Sequence, residues 1–218
     1  MISVSIMHGR REMHPLLLPR LKGAKVSVID GKGLTLWECA ETAWRAVRGD
    51  YHLVMHDDMK PCLGFIDHVQ RIVTNHRQPF SFWGSRTEEV MPKAGGFLSY
   101  ATFCWGGALG MPAYLAPQFL DWCAAKIEPD WLADDTRLAL WCAATGRRLL
   151  VPYPNLVQHA AVKSIARPGR KNQRSPSFVE DLGRIFWGGP VVEVPGDPEA
   201  FLISRSMHTK EEGAGWWR

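Results

Sequence analysis

Short apolar runs alternate with amphipathic segments along the first part of the chain. Residues 2–7, 25–29 and 51–55 are apolar or alternating runs of the length of a strand. The spacing of apolar positions between them predicts helices over residues 13–21 and 35–48. This order of strand, helix, strand, helix and strand favours a parallel sheet with right-handed crossovers.

The alternation continues towards the C-terminus. Further helices are expected over residues 65–76, 112–126, 136–145 and 176–186, and further strands over residues 80–83 and 148–151. An apolar, glycine-containing segment covers residues 97–110. We therefore expect an α/β fold with a mostly parallel sheet flanked by helices.

The composition is that of a globular protein. With 218 residues, 46% of them hydrophobic and 22% charged, the chain can bury the core of one large domain and is not disordered. The net charge of +4 is compatible with a polyanionic partner. Ten tryptophans give mild support for a sugar-like or planar ligand, because indole rings stack on both.

The cysteines and the N-terminus indicate an intracellular location. The five cysteines are scattered without CxxC spacing, which predicts reduced thiols and neither a zinc site nor a disulfide framework. The first residues reach charged positions after a very short apolar run, unlike a signal peptide, and no run approaches the ~20 residues of a membrane span. The expected location is the cytoplasm, or the host cytoplasm if a phage encodes the chain.

Carboxylates follow the ends of two predicted strands. His56, Asp57 and Asp58 come directly after the strand at residues 51–55, and Asp30 follows the second strand. Ligands of open α/β sheets gather outside the carboxyl ends of the strands, and a carboxylate there can hold a divalent cation and, through it, a diphosphate. The simpler alternative is that these acids form turns and cap helices, and the pair alone favours that alternative.

Three other groups of residues carry candidate chemistry. The turn after the first strand contains two adjacent arginines, whose planar forks suit phosphate. Asp134 and Asp135 stand at a helix start, where the macrodipole alone would also favour them. His159 ends a short apolar segment, and paired glycines at 106 and 107 allow a close backbone approach.

The residues after His159 have no apolar periodicity and are rich in cations. They predict an irregular basic segment, which could bind a polyanion or be a solvated loop that covers a diphosphate. The basic residues are Lys163, Arg167, Arg170, Lys171 and Arg174.

Together, and in this order, the motifs resemble those of nucleotide-sugar glycosyltransferases of the GT-A fold. The resemblance extends over residues 2–164 as a pattern, although no single motif is specific. It implies a Rossmann-type sheet in a domain of residues 1–164. Residues 165–218 would form a basic loop, a short helix and a tail that pack on the same domain.

The resemblance also implies roles for individual residues. The last acid of the family's metal motif falls on Asp58, and the later histidine that completes the metal site falls on His159, with Mn²⁺ or Mg²⁺ as the cofactor. His56 stands where the family has its first acid, which is a departure. The other implied roles are the catalytic base, Asp134 or Asp135; the donor nucleotide site, His8, Gly9, Arg10, Glu12, Asp30, His56 and Asp57; and the sugar site, Trp105, Gly106 and Gly107.

The expected reaction is transfer of a sugar from a nucleoside-diphosphate sugar, with a UDP-sugar as the expected donor, to a hydroxyl group. The basic segment slightly favours a hydroxylated base in DNA, as in similar phage enzymes, over lipopolysaccharide or another surface glycan. A nucleotidyltransferase is a second hypothesis, although the turn after the first strand is a poor phosphate loop. A non-catalytic nucleic-acid-binding module is a third, but it leaves the four acids without a role.

Overall fold

The structure of the protein is a computed structural model that describes residues 1–9, 12–84, 92–102, 106–129, 131, 133–160 and 174–204. The strands are β1 (Ile2–His8), β2 (Lys25–Asp30), β3 (Tyr51–His56), β4 (Met59–Pro61), β5 (Phe80–Ser81), β6 (Gly96–Tyr100), β7 (Ala108–Pro112), β8 (Leu149–Tyr153), β9 (Val157–His159) and β10 (Val191–Glu193). The helices are α1 (Leu17–Arg20), α2 (Leu36–Arg45), α3 (Phe65–Asn75), α4 (Leu115–Lys126), α5 (Asp134–Ala144) and α6 (Pro198–Ser204).

Eight of these strands form one sheet, in the order β10-β6-β8-β5-β7-β3-β1-β2. β1 pairs in parallel with both β2 and β3, whereas β7 is antiparallel to its neighbours β3 and β5. β4 and β9 form a separate antiparallel pair. The expected fold class, α/β with a mostly parallel sheet flanked by helices, is confirmed.

Apolar side chains cover both faces of the sheet. On one face, Phe65, Val69 and Ile72 of α3 are buried in a cluster with alternate residues of β1. On the other face, α2, α4 and α5 contribute buried aromatic side chains. Among them, the rings of Trp44 and Phe119 meet edge to face with their centroids 5.9 Å apart. The two layers hold the strand ends in fixed positions, which is what a site at the sheet edge requires.

The start of α2 shows how local sequence defines an element. Thr35 Oγ1 accepts a hydrogen bond from the Glu38 backbone N–H, and Glu38 Oε2 accepts one from the Thr35 N–H. This reciprocal capping box satisfies two amides that have no partner within the helix. The predicted helix start at residue 35 is therefore confirmed.

The helix expected over residues 176–186 is wrong. This segment, between β9 and β10, has no helical structure, although Phe178, Leu182 and Ile185 still pack into the core. Side chains compete with helical hydrogen bonding here, because Ser175 Oγ accepts from the Ser177 amide. The short helix of the C-terminal region is α6 instead.

One further expectation needs correction. The helix expected over residues 13–21 is formed only over Leu17–Arg20. The segment at residues 97–110 contains parts of two strands, because β6 lies beside β8 and β10 whereas β7 lies between β3 and β5. Among the described residues, no helix is both long enough and apolar enough to cross a bilayer.

Candidate active site

The carboxyl ends of β1, β2 and β3 bring polar side chains to one edge of the sheet. Met7 is level with His56 across the β1–β3 pair, and His8 is level with Asp30 across the β1–β2 pair. The start of α5 and the end of β9 reach the same edge, because Asp134 lies beside His56 and His159 lies beside Asp58. Five separate stretches of sequence therefore converge at this edge.

Asp58 and His159 form the first pair of side chains. Asp58 Oδ2 lies 3.4 Å from His159 Nδ1. The Ala160 N–H donates a hydrogen bond of ordinary length, 2.9 Å, to the Asp58 carbonyl. The antiparallel β4–β9 pair holds them together, since Met59 is directly opposite His159. The ring of Trp83 meets the His159 ring edge to face at 4.8 Å, which restricts its rotation.

This pair fits one part of a metal site. His159 Nδ1 is buried and makes no hydrogen bond to any part of the chain that the structure describes. A carboxylate oxygen and an imidazole nitrogen suit manganese-like cations. Among the described residues there is no group of three or more side chains that could hold a metal ion, so diphosphate and water oxygens would have to complete the coordination.

His56 forms a second pair with an acid of α5. Its Nε2 lies 3.5 Å from Asp134 Oδ2, and the Asp134 side chain is almost fully buried. Burial alone lowers the pKa of His56, but Asp134, followed by Asp58 and Asp135, outweighs burial and raises the pKa of His56 to about 9. The nearby carboxylates therefore favour the protonated form of His56.

Asp135 is held by backbone donors. Its Oδ2 accepts a hydrogen bond from the Gly106 N–H at 3.2 Å, and its Oδ1 accepts one from the Thr136 N–H at 2.7 Å. Burial, and next the charge of Asp134, raise the pKa of the Asp135 carboxyl above its usual value. A carboxylate of raised basicity in a fixed orientation is suited to accept a proton.

Asp57 binds the turn after β1 at both of its ends. Its Oδ2 accepts hydrogen bonds from His8 Nδ1 at 3.1 Å and from the Gly9 N–H at 2.9 Å. Its backbone carbonyl accepts from the His14 N–H at 2.8 Å. Asp57 is thus directed away from the Asp58–His159 pair and towards the segment expected to bind the nucleotide.

Gly107 packs directly against Met59 and His159 of the β4–β9 pair. With φ at +102°, an added Cβ would lie 1.9 Å from Met59 Cε and 3.3 Å from His159 Nε2. The Gly107 carbonyl also accepts a hydrogen bond from the His56 N–H at 2.8 Å. The paired glycines therefore allow backbone to approach side chains of the site, with Gly106 on Asp135 and Gly107 on Met59.

The remaining predicted residues differ in what the structure says of them. Asp30 is exposed, and its Oδ1 accepts from the Lys32 N–H at 3.0 Å, which closes the turn after β2. Glu12 and Arg174 are exposed. The predictions that lie outside the described residues are those for Arg10, Trp105, Lys163, Arg167, Arg170 and Lys171.

Sequence reasoning missed three residues near the site. Trp83 contacts His159, and only its position at the end of a predicted strand could have indicated this. His14 lies within electrostatic range of Asp58; burial, and then Lys60 and Arg20, lower the pKa of His14. Lys60 follows the acidic cluster by two positions and pairs with Glu180, a contact across 120 positions that no local signal predicts.

No protein-family model and no curated protein matches the chain. Among solved structures, the chain is similar to a Drosophila β1,4-galactosyltransferase 7 mutant in complex with manganese, UDP-Gal and xylobiose, with 12% identity, a TM-score of 0.49 and coverage of 78% of this chain and 75% of that chain. It is also similar to a nucleotidyl transferase from Methanothermobacter thermautotrophicus, with 17% identity, a TM-score of 0.36 and coverage of 70% and 86%. Similarity at this level assigns no activity, which has to follow from the side chains at the sheet edge.

Proposed function

We propose that the protein is a metal-dependent glycosyltransferase that moves a sugar from a nucleoside-diphosphate sugar, with a UDP-sugar as the expected donor, to a hydroxyl acceptor. The observation that carries the proposal is the position of two side-chain pairs, His159 with Asp58 and His56 with Asp134, at the same edge of the sheet. It places a candidate cation site and a candidate base at the same edge of the sheet. Transfer from a sugar diphosphate needs both groups.

Asp58 and His159 would hold the cation, and Mn²⁺ suits their mixed oxygen and nitrogen donors better than Mg²⁺ does. The cation would neutralise the charge that develops on the departing diphosphate. Asp57 keeps the turn after β1 in place through His8 and Gly9, where the nucleotide would bind. His56 would add a positive charge close to Asp134 and Asp58, whose carboxylates raise its pKa.

Asp135 is the better candidate for the base that takes the proton of the acceptor hydroxyl. Its pKa is raised, and two backbone amides fix its orientation. Asp134 faces His56 instead, so its carboxylate is engaged in an ion pair. In this assignment Asp134 is a positioning residue.

For the acceptor we retain the slight preference for a hydroxylated base in DNA over a surface glycan. The preference depends on the basic segment from Lys163 to Arg174, of which only Arg174 lies within the described residues. Phosphate contacts from such a segment would give affinity independent of base sequence. A base within a duplex would also have to be flipped out before transfer.

The proposal is tested by incubating the protein with UDP-sugars and Mn²⁺ and measuring release of UDP. We expect slow release without an acceptor and faster release with the correct one, when DNA containing hydroxymethylated bases is compared with lipopolysaccharide. Asp58→Asn and Asp135→Asn should each abolish release. Asp121→Asn, at an exposed acid of α4, is the matched control and should retain the wild-type rate. Pyrophosphate release from a nucleoside triphosphate, with no release of UDP, would replace the proposal by a nucleotidyltransferase.

A further inference from the structure

An open cleft of about 460 Å³ lies between the second half of α3 and the segment that follows Leu182. None of its lining residues belongs to the candidate active site, and its volume lies within the range of about 300–1,000 Å³ found for ligand clefts. The residues that line it are Gln70, Arg71, Thr74, Asn75, Arg184, Ile185, Phe186 and Trp187.

Phe186 is the most exposed large apolar side chain of the described residues, with 79% of its surface accessible. The adjacent Trp187 is buried, and its Nε1 donates a hydrogen bond to His68 Nδ1 at 3.1 Å, which anchors the backbone. The ring of Phe186 rests on Gly188, where an added Cβ would lie 2.4 Å from Cζ. An aromatic ring is thus held out to solvent on an anchored segment.

The charge around the cleft is positive. Arg71 and Arg184 both line it, and no carboxylate among the described residues does. Asp67 and Asp181 lie within electrostatic range of His68 but outside the lining. The Asn75 amide donates to the Trp187 carbonyl at 3.4 Å, so α3 and the aromatic segment are directly connected.

We propose that this cleft binds single-stranded nucleic acid, with a base stacked on Phe186 and phosphates paired with Arg71 and Arg184. An aromatic platform in a cationic cleft is the arrangement that binds such strands without sequence preference, because every base has a face to stack and every nucleotide a phosphate. Guanidinium forks match phosphate oxygens in pairs. The proposal depends on no part of the donor site. Where both proposals hold, the bound strand is the acceptor or its flanking segment.

The test is fluorescence anisotropy of the full chain with a labelled oligo-dT strand. Phe186→Ala should weaken binding by about 5- to 150-fold, as expected for loss of one stacked base. The double variant Arg71→Ala/Arg184→Ala should reduce the slope of log affinity against log salt by about 1.4, since each phosphate contact on a single strand contributes about 0.7. Tyr114→Ala removes an aromatic ring that is 58% exposed just before α4 and is the matched control.

Weakening by Phe186→Ala, with wild-type affinity in Tyr114→Ala, supports the proposal. Equal affinity of Phe186→Ala and wild type overturns it. So does failure of the wild type to bind oligo-dT, including the case in which it binds an acidic polysaccharide instead. Gly188→Ala, which displaces the ring without removing it, should weaken binding in the same direction as Phe186→Ala. Binding of UDP with Mn²⁺ is measured separately, so that failure of the donor site and failure of the cleft remain distinguishable.

Discussion

His159 Nδ1 and Asp58 Oδ2 lie 3.4 Å apart, although the two residues are far apart in the sequence. The two-stranded β4–β9 pair brings them together, and the Ala160 N–H completes the contact by donating to the Asp58 carbonyl. A short antiparallel ribbon outside the main sheet therefore sets the geometry of the proposed cation site.

Asp57 should act through the turn after β1. Asp57→Ala leaves His8 Nδ1 and the Gly9 N–H without this acceptor, so we expect a loss of about 1–3 kcal/mol in the free energy of unfolding and weaker nucleotide binding. Asp57→Asn retains an acceptor for Gly9 but not the charge beside His8, and should be intermediate. Urea denaturation and nucleotide titration measure the two effects. Wild-type stability in Asp57→Ala would contradict this role.

Gly107→Ala should destabilise the protein through steric overlap with Met59. Gly146 provides a control, because it also has a positive φ, +66°, but no atom within 4 Å of an added Cβ. We expect Gly146→Ala to cost about 1 kcal/mol of backbone strain. Gly107→Ala should cost about 1–3 kcal/mol more, because Met59 and the β4–β9 pair have to move away from the added methyl group. Equal unfolding free energies for the two variants would rule out the overlap.

The buried thiols should be unreactive in the folded protein. Burial raises the pKa of Cys39 to about 11 and that of Cys62, Cys123 and Cys142 to about 12. In a Cys104→Ser background, which removes the cysteine outside the described residues, modification by a thiol reagent at pH 8 should follow global unfolding. Rapid labelling of any of the four thiols in native buffer would contradict their burial.

The C-terminal segment should lose an anchor at low pH. Hydrogen bonds from Arg20 and then Lys60 lower the pKa of Glu180 from 4.5 to about 2. A lowered carboxyl pKa contributes stability that is fully present above 4.5 and is lost as the pH falls towards 2. The melting temperatures of wild type and Glu180→Gln should therefore converge over this window, as calorimetry at several pH values can determine. A constant difference down to pH 2 would contradict the pairing.

The sequence pattern predicted the first three strands better than it predicted the order of the later strands in the sheet. The apolar runs of β1, β2 and β3 and the start of α2 near residue 35 are local signals, and all were predicted. The antiparallel insertion of β7 between β3 and β5 was not, because strand order depends on contacts between distant residues. The helix expected over residues 176–186 failed because its apolar spacing reflects packing of an irregular segment on the core.

In the candidate site, too, local features could be predicted from the sequence and contacts between distant residues could not. The acids at strand ends could be identified from sequence, since the carboxyl edge of a sheet is where ligands gather. Contacts of the neighbouring residues could not be identified from sequence. Trp83 meets His159, and Lys60 pairs with Glu180, only because the chain folds. The separate directions of Asp57 and Asp58 also required the structure, because adjacent residues differ in the side they face.

The most direct test of the proposed donor site is a thermal-shift panel of UDP, GDP, CDP and TDP, each with and without Mn²⁺. A ligand that binds only the native state stabilises it by about 2.7 kcal/mol at a concentration of 100 times its Kd. We predict that one diphosphate raises the melting temperature only when Mn²⁺ is present, that Asp58→Asn abolishes the shift, and that Asp121→Asn retains it. A shift that needs no metal, or one that persists in Asp58→Asn, would contradict the account.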